Sequence, residues 1–172
     1  IRDQILMLAG VLNRKMYVES VKPPQPAGLW KAVSMAAPLT YVADKGDAIY
    51  RRSFYTFWRR GMPPPQLTLM IAPSREFCTT RRERTNTPLQ ALLMMNEREF
   101  FRAAQACAVL TRREVKNDET RGLVLLYEKI TSHRPDPQRL KLLQTTLAEF
   151  RELYSKNKTL TEEITPNLKK AD

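Results

Sequence analysis

Three consecutive prolines, Pro63-Pro64-Pro65, set the strongest single limit on how this chain folds. Each fixes its own φ and disfavours helix in the residue before it. The run is therefore expected to be a stiff polyproline-II segment that stops any helix arriving from upstream. A second such stretch, Val21-Lys22-Pro23-Pro24-Gln25-Pro26, must also be extended, and it lies in an irregular approach over about residues 14–45. Within that approach Gly28–Val33 has room for one short helical turn, with Trp30 as an apolar anchor.

Elsewhere the apolar residues fall at helical spacing. Ile1, Ile5, Leu8, Ala9 and Leu12 predict a helix over 1–13. Tyr50, Phe54, Phe57 and Trp58 form an aromatic stripe that predicts a helix over 47–60, ended by Gly61. A strand competes there, because Ser53–Phe57 has good β propensity. Residues 66–84 read as an extended crossing, in which alternating Leu67, Leu69 and Ile71 suggest a short strand. Thr87-Pro88 is a strong helix start. Asn96 is expected to cap the next helix, to about Arg113, with Glu97 and Glu99 complementing its dipole. Asp118 and Asp136-Pro137 predict helices over about 119–131 and 137–156, the latter with a buried stripe of Leu140, Leu143, Leu147, Phe150 and Tyr154.

The fold class is thus mainly α, an irregular helical domain with a long Pro/Arg-rich non-regular segment between helices. Residues 1–156 are expected to form a single helical domain and 157–172 a polar C-terminal tail. At 172 residues and 42% apolar content such a domain can bury a real core. No apolar run approaches the roughly 20 residues that span a bilayer. The chain opens inside a helical pattern rather than on a leader, so it is expected to be a piece of something longer.

The charge pattern is more specific. From Gly46 to Glu114 there are twelve arginines and no lysine, while all eleven lysines lie outside. Arginine offers a planar fork for bidentate pairing and stacks on aromatic rings, so a lysine-free stretch is unlike an ordinary solvated surface. Between Arg51 and Arg84, the eight arginines Arg51, Arg52, Arg59, Arg60, Arg75, Arg81, Arg82 and Arg84 face only two carboxylates, Glu76 and Glu83. Two readings stand. The eight converge on an anion site, or they bond carbonyls and ring faces to hold an irregular backbone.

No constellation identifies a reaction, and whether the chain is an enzyme is left open. Ser53, Ser74 and Cys78 are candidate nucleophiles, but His133, the single histidine, sits in a turn far along the chain. Nothing in the spacing of Glu76 and Glu83 makes them an acid/base pair. Cys78 and Cys107 form no CxxC pattern, and both a disulfide and two buried thiols fit them. No metal or cofactor is expected in this chain.

The strings Tyr50-Arg51-Arg52-Ser53-Phe54-Tyr55-Thr56-Phe57-Trp58-Arg59-Arg60, Pro63-Pro64-Pro65, Ala72-Pro73-Ser74-Arg75-Glu76 and Arg84-Thr85-Asn86-Thr87-Pro88-Leu89-Gln90-Ala91-Leu92 carry a resemblance. Together with Ile1-Arg2-Asp3-Gln4 and Lys22–Trp30, they resemble the C-terminal domain of unknown function of the large planctomycete cytochrome c domain-containing proteins. The resemblance is close over residues 1–113. It implies an exported parent, periplasmic or at the cell surface, with haem only in a missing upstream domain, in bacteria suited to degrading sulfated polysaccharides. It supplies no catalytic residues. Relatives often carry Asp at the positions of Ile71 and Ser74 and Asp-Pro at Glu97-Arg98, so the loop here is more positive.

The expected function is a non-catalytic interaction module that binds an anionic partner, an acidic or sulfated polysaccharide or another domain of its parent, through the arginine cluster. The alternatives are an oxidoreductase coupled to the missing haem domain or a glycan-acting hydrolase. Nonspecific nucleic-acid binding rests on charge alone and lacks any recognition motif. The oligomeric state is left open.

Overall fold

The computed structural model describes residues 1–17, 19–26, 28–30, 40–81 and 83–164. Among these the chain is mainly helical and carries no strand. It divides into two compact units, Ile1–Leu110 and Thr111–Asp172.

The first unit opens with α1 (Arg2–Leu8). Leu6 on α1 and Ala9 just after it are almost wholly buried with Ala103, and Ile5, Leu12, Tyr50 and Cys107 pack around them. Gly10 ends the helix at φ +69, where Gly10 N–H donates to Met7 O and Val11 N–H to Leu6 O, both at 3.0 Å. This left-handed cap stops the helix short of the expected Asn13.

The helix predicted over 47–60 is absent. That segment holds two short 3-10 turns, Gly46–Tyr50 and Ser53–Tyr55, with extended backbone between them. Its backbone groups pair with the approach segment instead of with their own i−4 neighbours. Asn13 bridges Arg51, and Val21 bridges Thr56, with Val21 N–H on Tyr55 O at 2.8 Å and Phe57 N–H on Val21 O at 2.7 Å. The aromatic spacing is compatible with a helix, but these non-local partners satisfy the backbone and win.

The expected strand at Leu67–Ile71 is also absent. Pro65 takes the first position of α2 (Pro65–Leu69), where its missing N–H costs nothing, so the proline run starts a helix and has none to stop. Then come α3 (Pro88–Asn96) and α4 (Arg98–Glu114). Thr87 and Gln90 form a reciprocal capping box on α3, as the Thr-Pro start predicted. Asn96 does not cap α4. Its side chain bonds back to Leu92 O, and the Glu97 carboxylate accepts from the N–H groups of Glu99 (2.6 Å) and Phe100 (3.1 Å) instead. Trp30 anchors its loop as expected: it is 9% exposed, stacks on Tyr41 at 5.0 Å and donates to Gln25 Oε1 at 2.7 Å. The rest of the expected turn, Lys31–Val33, lies outside the described residues.

The second unit holds the end of α4, α5 (Glu119–Thr131), α6 (Pro137–Lys156) and α7 (Lys158–Ile164). Asp118 and Asp136 cap α5 and α6 by accepting from the N–H groups of Arg121 and Arg139. α6 packs on α5 and α7, but none of its residues is buried, and Phe150 is 51% exposed, so the predicted buried stripe is at best half-covered. His133 lies in the exposed turn after α5. No described helix is long and apolar enough to cross a membrane.

Candidate functional site

The first unit contains a cleft of about 1080 Å³. Its base is built by a residue whose charge is turned inward. Arg2, 4% exposed, sets Nε and Nη2 on the two oxygens of Glu99. Its Nη1 and Nη2 also donate to Arg51 O and Ile49 O at 2.9 Å each. Gln66 Nε2 donates to the same carboxylate at 3.1 Å. Beside this pair, Asp3 Oδ1 accepts from Ser53 N–H at 2.8 Å and from Ser53 Oγ at 2.6 Å. The Ser53 hydroxyl thereby donates to a carboxylate and accepts from Arg2 Nη1 at 3.4 Å.

One wall carries Phe54, 79% exposed, and Trp58. The other is the loop between α2 and α3. Ile71 begins it at φ +52, with Ile71 N–H on Thr68 O at 2.9 Å and Ala72 N–H on Leu67 O at 2.8 Å, the left-handed helix end usually given to glycine. Gln90, buried on α3, closes its far end by donating to Leu69 O at 3.0 Å and to Thr85 Oγ1 at 2.8 Å. Between these clamps Arg75 adopts φ +66 and places its guanidinium 4.8 Å over the Trp58 ring.

The structure separates the arginines singled out from the sequence. Arg51 is 3% exposed and fully engaged: Nε and Nη2 donate to Lys15 O, Nη1 donates to Glu19 O, and the guanidinium lies 4.1 Å over Tyr55. Arg52 lies over the same ring at 5.7 Å, and Arg59 lies 5.8 Å over Trp30. Arg60 is exposed and does not line the cleft. Arg75, Arg81 and Arg84 are exposed and do line it. Arg82 lies outside the described residues.

Among the described residues none of Arg75, Arg81 and Arg84 makes an ion pair. The cleft carboxylates are Asp3, held by Ser53, and Glu83. Glu76 does not line it. Nearby, burial raises the Glu97 carboxyl above the usual range, opposed by the N–H groups of Phe100 and Glu99. No described group of three His, Cys, Asp or Glu side chains is placed to hold a metal ion. Both cysteines are free thiols, Cys78 exposed and Cys107 half-buried.

The sequence reading passed over Arg2, Asp3, Gln66 and Gln90. Arg2 had a signal: a cation in the first turn of a helix opposes the helix dipole, and a residue placed against that gradient needs a partner elsewhere.

Residues 1–147 match the family model PSD1, Protein of unknown function (DUF1553). No curated protein and no solved structure matches the chain.

Proposed function

The chain belongs to the PSD1 family of proteins of unknown function, and from that premise we propose that its first unit is a binding module for an anionic carbohydrate. The observation that carries this reading is three exposed arginines, Arg75, Arg81 and Arg84, lining one cleft with the exposed ring of Phe54 and with Trp58. Guanidinium forks pair bidentately with sulfate or carboxylate groups, and an aromatic face packs against the apolar face of a sugar ring. The setting implied by the resemblance supports an acidic or sulfated glycan as the ligand class. That setting is an exported, cytochrome-c-associated planctomycete protein. The module binds its ligand without transforming it.

Calorimetric titration with a sulfated oligosaccharide tests this. Arg81→Ala with Arg84→Ala is expected to weaken binding at least tenfold, and Arg59→Ala with Arg60→Ala to leave it within about twofold, since the second pair lies off the cleft. Equal losses from both pairs would reduce the interaction to nonspecific charge. Turnover of the oligosaccharide that is lost on Asp3→Asn or Glu83→Gln would favour the hydrolase reading instead.

A further inference from the structure

We infer that the outward face of α3 is a docking surface for an acidic amphipathic helix of a separate protein. α3 is built inside out. Its one buried residue is polar, Gln90, while Leu89, Leu92, Met94 and Met95 are 55%, 52%, 45% and 70% exposed. At about 100° per residue, Ala91, Leu92 and Met95 share the arc opposite Gln90, with Leu89 at its edge beside Leu93. An apolar helix face turned to water is unfavourable and marks a surface made to be covered. Methionine and leucine side chains adapt to an incoming apolar ridge without a preformed pocket. The helix spans about 14 Å, which fits two to three turns of a partner presenting anchors at i, i+3 or i+4, and i+7.

Charge selects the occupant. α3 itself bears no charged side chain. Arg98 and Arg102 follow it one turn apart on α4. Both are exposed and neither makes an ion pair among the described residues. The nearby carboxylates are turned inward, Glu97 onto the N–H groups of α4 and Glu99 onto Arg2, leaving Glu83 as the exposed one. An apolar strip that runs into exposed, unpaired guanidiniums at its C-terminal end matches a helix whose apolar stripe is flanked by Glu and Asp. A second copy of this chain would set arginine against arginine, with +11 net charge on each side. A membrane surface is the poorer match, because the patch has neither the Lys nor the Trp of interfacial helices.

The test uses the whole 172-residue chain. The probe is a fluorescein-labelled peptide of about 18 residues, with a Leu/Phe stripe flanked by Glu and long enough to be helical when bound. Anisotropy is expected to report saturable binding that weakens at least tenfold for Leu92→Ser with Met95→Ser and for Arg98→Glu with Arg102→Glu. A scrambled peptide of the same composition, which breaks the stripe, is expected to lose binding equally. The substituted positions are exposed, so unchanged circular dichroism and unchanged oligosaccharide binding in the cleft check that each variant is folded. Equal binding of the scrambled peptide overturns the proposal, as does unaltered affinity of the Leu92→Ser/Met95→Ser variant. So does sedimentation as a dimer that this variant abolishes, or binding to phosphatidylserine vesicles that requires the same face.

Discussion

A guanidinium at 4% exposure is stable only while its donors are occupied, and Arg2 uses its own on Glu99, Ile49 O and Arg51 O. Breaking such a pair from one side leaves the other charge buried and uncompensated, at about 3–5 kcal/mol. Arg2→Met is therefore expected to lower the unfolding free energy by that amount in urea titration, with Arg2→Met/Glu99→Met recovering part of it. The recovery stays partial because two carbonyls still lose their donor. Tyr41 offers a second residue-scale test. Burial, with the Asp44 charge adding to it, pushes its phenol up to about 12 from 10, and its hydroxyl donates to Pro23 O at 2.6 Å. The fold favours the protonated form, so its contribution is fully present below pH 10 and is lost as pH rises toward 12. Absorbance titration at alkaline pH is expected to show a late-ionising step that Tyr41→Phe removes.

At the scale of elements, two helix ends make opposite predictions. Ile71 holds a left-handed φ of +52 with a β-branched side chain, and Gly10 holds φ +69 with Leu110 Cδ1 only 2.7 Å from where a Cβ would stand. Ile71→Gly is expected to stabilise by about 1 kcal/mol through removal of that strain. Gly10→Ala is expected to destabilise by about 2 kcal/mol or more, since strain and steric overlap add. Thermal unfolding of the two variants checks both signs. The elements legible in the sequence were those with local punctuation. Thr87-Pro88, Asp118 and Asp136-Pro137 mark their helices because the cap and the first turn are adjacent in the chain. The segment 47–60 was not legible, because its backbone partners are Asn13 and Val21, more than thirty residues away. A periodic aromatic pattern carries no information about such partners. The strand expected at Leu67–Ile71 failed for a local reason, since Pro65 is a better helix start than the alternation is a strand.

For the whole molecule, the lysine-free stretch left two uses of arginine open, and Arg51 takes the one that holds irregular backbone while Arg75, Arg81 and Arg84 line the cleft. Whether a guanidinium meets a carbonyl, a ring or water depends on which distant residues the fold brings to it, so the cleft set of Arg75, Arg81 and Arg84 becomes visible only in three dimensions. Net charge acts at this scale as well. At +11 the folded chain repels itself, and salt screens exposed charges over about 10 Å at 0.1 M while touching buried pairs far less. Stability in urea is expected to rise between 10 and about 200 mM NaCl, whereas oligosaccharide binding falls over the same range. A fall in both would mean that surface ion pairs, and not self-repulsion, dominate the exposed charge.

The Arg2–Glu99 pair also has a consequence in time. Its members are 97 positions apart, and a ribosome adding about 5–20 residues per second separates their synthesis by roughly 5–20 s. Until Glu99 emerges, the carboxylate within reach of Arg2 is that of its neighbour Asp3, 3.7 Å away and also held by Ser53, and the two-pronged pair that carries the guanidinium into the interior is incomplete. Full burial of Arg2 is thereby expected to wait for the arrival of α4.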